Sequence, residues 1–161
     1  MPKRRNGTAI IVASFALALL LTMLPLPEWA QSLRPEWVSL VLIYWCMALP
    51  NRVSIGWGWT IGIMLDVTLG TLLGLNALAL ALIAFLTIKL YQRIRVYPLA
   101  QQALAVLVLV AMSQLLNLWI HGITGSTPQS WTYWLPSLTS AVIWPWLFII
   151  LRNTRRRFRV Q

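Results

Sequence analysis

The stretch Gly56–Gly74 reads GWGWTIGIMLDVTLGTLLG, and within it stands Asp66, the only acidic residue inside the hydrophobic part of the chain. Gly58, Gly62, Asp66 and Gly70 recur every fourth residue, so on a helix they form one slowly drifting ridge of bare backbone with a carboxyl group set into it. A ridge of small residues lets another helix pack closely. A carboxylate in an apolar segment is costly to bury, so it calls for a partner and marks a candidate functional position. With Gly74 closing the stretch, Gly58, Gly62, Asp66, Gly70 and Gly74 make up the expected helix-packing or partner-contact surface.

Working outward, Asp66 is the only charge between Val53 and Ile88, which leaves room for two modest membrane crossings joined by a short turn near Gly70–Gly74. Upstream, Trp37–Leu49 is a short apolar run that ends at Pro50-Asn51-Arg52, a tight turn with one positive charge. Downstream, Lys89–Arg95 forms a basic loop, and no formal charge follows until Arg152. The expected spans are 8–24, 35–49, 53–70, 73–90, 102–120 and 134–151, with 152–161 a basic tail. Together they predict a single all-α transmembrane domain of about six helices. A basic start before an apolar run also begins a signal peptide, but only LPLPEWAQS follows, without an A-x-A-like cleavage site.

Charge placement orients the bundle. With both termini in the cytoplasm, Lys3, Arg4, Arg5, Arg52, Lys89, Arg93, Arg95, Arg152, Arg155, Arg156, Arg157 and Arg159 all lie inside and only Arg34 lies outside. Arg52, Arg93, Arg95, Arg152, Arg155, Arg156, Arg157 and Arg159 are the expected contacts to the membrane surface, anionic lipid or a cytoplasmic partner. The alternative is that 56–74 enters and leaves on one side, which protein burial allows.

Composition removes other classes. A chain of 161 residues that is 59% hydrophobic and 10% charged, with ten Trp, is not a soluble globule. Its net charge of +10 sits in clusters at the ends of apolar runs, so no basic face outside the bilayer is left for nucleic acid. One Cys, Cys46, and one His, His121, cannot build a metal site, and neither GxSxG nor HExxH occurs. No catalytic residue, cofactor or metal is therefore expected. Most Trp residues fall at span ends, where the interface favours them. Ser113, Gln114 and Asn117 form a polar stripe on the fifth span and are the expected hydrogen-bonding neighbours of Asp66, which is expected to act through such bonds. Trp144-Pro145-Trp146 is expected to kink the last span.

RPEWVSLVLIYWCMALPNRVSIGWGWTIGIMLDVTLGTLLGLNALAL (Arg34–Leu80) and VIWPWLFIILRNTRRRF (Val142–Phe158) together resemble the MreD family of the bacterial rod-shape system. The resemblance rests on RPxW, ALPxRV, the G-x-G-x3-G-x3-D-x3-G-x3-G spacing, and WPW before a basic tail. It implies a non-enzymatic subunit of the inner membrane that binds MreC. Through MreC it is tied to MreB filaments, to RodA with its penicillin-binding protein, and so to peptidoglycan synthesis and cell shape. It also implies a fold similar to the six-helix substrate-binding components of energy-coupling-factor transporters, which keeps a small-molecule- or lipid-binding, transporter-like alternative open. A second copy of the chain stands as a further open partner.

Overall fold

Glycine and proline punctuate the chain into helices. Pro25 follows the first, Pro98 precedes the fifth, and Gly74 and Gly125, both with positive φ, stand at helix ends. In a computed structural model the described residues are 3–25, 27–28, 36–49, 53, 55–70, 73–125 and 134–158, with backbone alone for 3–7, 69, 124 and 158. They form α1 (Lys3–Met23), α2 (Trp37–Ala48), α3 (Ile55–Leu69), α4 (Leu75–Ile94), α5 (Leu99–Thr124) and α6 (Leu135–Phe158). All of this regular structure is helical. Leu75–Ile94, Leu99–Ile123 and Leu135–Arg157 are long and apolar enough to cross a membrane, while Thr8–Met23 and Trp37–Ala48 are apolar but shorter.

The shortest helix is the middle of the bundle. Every residue of α2 from Val38 to Met47 is buried, because α1, α4, α5 and α6 pack around it. A helix that is apolar on all sides belongs in such a place. Its 12 residues span only about 18 Å. Two hydrogen bonds tie it to its neighbours: the Trp45 indole donates to Ser14 Oγ of α1 at 2.8 Å, and the Glu36 amide just before it donates to Ser140 Oγ of α6 at 3.0 Å.

A second polar tie closes the other end. Gln102 of α5 donates to the Ile94 and Tyr97 carbonyls at 3.1 and 3.2 Å, and its Oε1 accepts from the Trp144 indole at 3.3 Å. One side chain thus joins the end of α4, the start of α5 and the middle of α6. The Trp144-Pro145-Trp146 triplet divides accordingly: Trp144 is fully buried, Pro145 lies within the helix and Trp146 is exposed. α6 also runs seven residues past 151, so the basic segment begins as helix rather than loose tail. Arginine is a good helix former, and Arg155, Arg156 and Arg157 meet the negative end of the helix dipole.

The most extensive interface joins α3 and α4. A Cβ at Gly62 would collide with Ala77 Cα and lie 2.6 Å from Ala77 N and 2.7 Å from Asn76 O. One at Gly58 would lie 2.8 Å from Leu80 O. These two glycines bring the backbones together, as the ridge implied, and the neighbour is the chain's own next helix. Gly70 and Gly74 differ. α3 stops at Leu69, so both fall in the turn, with φ of 68° and 98°, and a Cβ at either meets nothing. Their fourfold spacing comes from a left-handed turn, not from continuation of the ridge. Gly62→Ala should therefore cost about 1–3 kcal/mol through overpacking. Gly70→Ala should cost about 1–2 kcal/mol through backbone strain alone. Unfolding midpoints in detergent check both values, and a neutral Gly62→Ala would contradict the close approach.

Candidate functional site

Asp66 lies one turn beyond Gly62 on the same face of α3 and is 1% exposed. Because Gly62 draws the start of α4 close, the carboxylate reaches amides that a helix's first turn leaves without internal partners. Gly74 N–H donates to Oδ2 at 2.9 Å, Asn76 N–H to Oδ1 at 3.0 Å and Asn76 Nδ2 to Oδ1 at 2.8 Å. A longer contact from Ala77 N–H to Oδ2 measures 3.4 Å. Asp66 is thus an N-terminal cap supplied by the preceding helix, where the dipole also favours negative charge.

This corrects the expected partnership. The described hydrogen bonds of Asp66 run to the first turn of α4 and not to the α5 stripe. Every one of these groups donates, so both carboxyl oxygens serve as acceptors. The sequence carried a signal for this arrangement in Asn76, two residues past a glycine that opens a helix. On α5, Ser113 turns its hydroxyl back to the Val110 carbonyl at 2.8 Å, Gln114 is buried, and Asn117 is half-buried with Oδ1 lacking a partner among the described residues. No group of three or more His, Cys, Asp or Glu side chains that could hold a metal occurs among the described residues.

A larger feature lies between α1 and α3. Both pack well against other helices but touch each other little. The gap is an apolar groove of about 560 Å³, lined by Val12, Phe15, Ala16 and Leu19 on one side and by Gly56, Trp57, Thr60, Ile61 and Met64 on the other. Phe15 and Trp57 stack at its floor with centroids 6.0 Å apart and planes at 22°. Thr60 spends its hydroxyl on the Gly56 carbonyl at 2.8 Å, which leaves its methyl group to the groove. Ala16, Gly56 and Thr60 are small and exposed, which leaves room for another backbone.

A family model described as "rod shape-determining protein MreD" matches residues 3–154. The chain belongs to the MreD family. It is 35% identical over 151 residues to the rod shape-determining protein MreD of Haemophilus influenzae, covering 94% of this chain and 93% of that protein. No solved structure matches the chain. The family is named for determining rod shape and not for a reaction, and its members are membrane proteins.

In this MreD-family chain the expected basic contacts gather at one end. Arg93 and Arg95 close α4, while Arg152, Arg155, Arg156 and Arg157 lie on the last turns of α6. Arg52 and Arg159 fall outside the described residues. Lys89 stands over the Phe85 ring at 5.2 Å from its centroid. The acids lie at the other end: Glu28 follows α1, Glu36 precedes α2 and accepts from Ser39 Oγ at 2.9 Å, and Asp66 meets the α3–α4 turn.

The cap makes a measurable claim. Asp66→Asn places an amide donor where Gly74 N–H or the Asn76 donors need an acceptor, and should destabilise the fold by about 1–3 kcal/mol. Asn76→Ala should cost less, about 1 kcal/mol, because the backbone amides remain. A double-mutant cycle of Asp66→Ala with Asn76→Ala should return a coupling of roughly 0.5–3 kcal/mol. Wild-type stability for Asp66→Asn would remove the acceptor role.

Proposed function

We propose that this chain is a non-enzymatic subunit of the rod-shape complex in the bacterial inner membrane, and that its α1–α3 groove seats the transmembrane helix of MreC. The groove carries this reading. It is apolar, without a charged lining residue, and its small exposed residues suit close approach of a second backbone. Through MreC the subunit would connect MreB filaments in the cytoplasm with RodA, its penicillin-binding protein and peptidoglycan synthesis.

Orientation follows from charge. A bundle whose described arginines lie at one end and whose acids lie at the other sits with the basic end in the cytoplasm. Six crossings with both termini inside satisfy that rule, and the short α2 is accommodated because its neighbours, not lipid, surround it. The small-molecule- or lipid-binding, transporter-like alternative gains no support from Asp66, whose carboxylate accepts from the α4 amides.

Two experiments test these proposals. Thr60→Trp should fill the groove and cut co-purification of MreC at least several-fold while the unfolding midpoint stays near wild type, and a cysteine at Thr60 should cross-link oxidatively to one in the MreC helix. Because Cys46 is buried, background labelling should be low. Cross-links from the outer faces of α5 or α6 instead would move the partner elsewhere. For topology, cysteines at Asn51 and Gly70 should label from opposite sides of the membrane, Asn51 from the cytoplasm. Labelling of both from the cytoplasm would make the α3–α4 hairpin re-entrant.

A further inference from the structure

Tyr44 of α2, Arg95 after α4, and Arg152 and Arg155 of α6 are far apart in sequence but meet around one cavity at the basic end, against an apolar wall that includes Met47 and Phe148. The cavity has a volume of about 60 Å³. A single water needs roughly 10–15 Å³ of such space, so a group of several heavy atoms fits and a folded peptide does not.

Two buried polar groups lack a well-formed hydrogen bond there. Tyr44 is 2% exposed and its hydroxyl lies beside the Arg155 guanidinium without a bond of good geometry, and Arg152 Nε has no partner among the described residues. Buried polar groups are nearly always paired, so two in one cavity point to an acceptor from outside. The surrounding rings fix the donors in place. Tyr44 meets Phe148 edge-on at 5.6 Å, and the Arg152 guanidinium lies over the Phe148 ring at 5.8 Å from its centroid.

Among the described residues no acid stands beside this cluster. Glu28, Glu36 and Asp66 lie at the opposite end of the bundle. The carbonyl ends of α2, α4 and α6 contribute about half a negative charge each, which offsets only about half of the charge of the three guanidinium groups.

We propose that this cavity binds a phosphate group, supplied by free phosphate or by the headgroup of an anionic lipid. Guanidinium groups hold phosphate oxygens through paired N–H donors, and the Tyr44 hydroxyl adds a further donor from the buried side. The site stands where basic residues at the ends of apolar helices meet headgroups. It is independent of the MreC groove, which lies between other helices.

The test uses the full chain in neutral detergent, with unfolding followed by tryptophan fluorescence. Phosphatidylglycerol is compared with phosphatidylcholine, and sodium phosphate with sodium chloride at equal ionic strength. The unfolding temperature should rise with phosphatidylglycerol and not with phosphatidylcholine. A rise with phosphatidylglycerol alone identifies a lipid site, and a rise with sodium phosphate as well identifies a site open to the free anion. Joint Arg152→Gln and Arg155→Gln substitution should raise the phosphatidylglycerol needed for the half-maximal shift roughly tenfold or more. Tyr44→Phe, which keeps the ring packing, should lose part of the shift, and Lys89→Gln, the same charge loss outside the cavity, should keep all of it. If the arginine pair lowers the baseline, Arg95→Gln at an exposed loop position gives the same comparison. No rise beyond the phosphatidylcholine and chloride controls overturns the proposal. So does an equal loss in Lys89→Gln, which would mean diffuse surface charge.

Discussion

The fold depends on one close approach, that of α3 to α4 at Gly62, with the Asp66 carboxylate closing over the amides one turn further on. The two parts need each other. Without the missing Cβ at Gly62, Ala77 and Asn76 could not come near enough for the carboxylate to reach their amides. Without the carboxylate, the first turn of α4 would bury unsatisfied donors in an apolar bundle, where water cannot repay them. A buried charge that looks costly in isolation becomes the means by which a short turn is tolerated at the end of two packed helices.

The rest of the bundle answers to the same scarcity of water. α2 can be short and apolar on every side because other helices surround it, and the Trp45 indole and Glu36 amide tie it to α1 and α6. Gln102 does comparable work at the far end by taking two carbonyls and one indole. What remains on the outside is apolar along the helices and ionic at their ends, with opposite signs at the two ends.

Much of this was legible from residue spacing. The apolar runs and the breaks between them anticipate an all-helical chain of six helices, and the missing side chains at Gly58 and Gly62 account for the close approach of α3 to α4. The partner of Asp66 was not legible, because reading the carboxylate as a mid-helix group hid its position near the end of α3. The fourfold spacing of Gly70 then extended the ridge falsely, since helical period and turn chemistry both place glycine there. The groove and the Tyr44 cavity lay beyond reach for a different reason. Their walls come from residues 12–19 with 56–64, and from 44 with 95 and 152–155, and nothing local in those segments encodes their meeting.

The groove also shows why a bundle this small leaves apolar surface open. α1 is held to α2 by the Trp45–Ser14 hydrogen bond, and the Phe15–Trp57 stack sets it apart from α3 by the thickness of two rings. Ala16, Gly56 and Thr60 line the same groove with little side-chain bulk, so the stack rather than other large side chains holds much of the spacing. An aromatic spacer beneath small residues keeps a slot open in a surface that would otherwise pack shut. In lipid such a slot carries little penalty, because acyl chains fill it when nothing else does, and a partner helix need only pack better than they do.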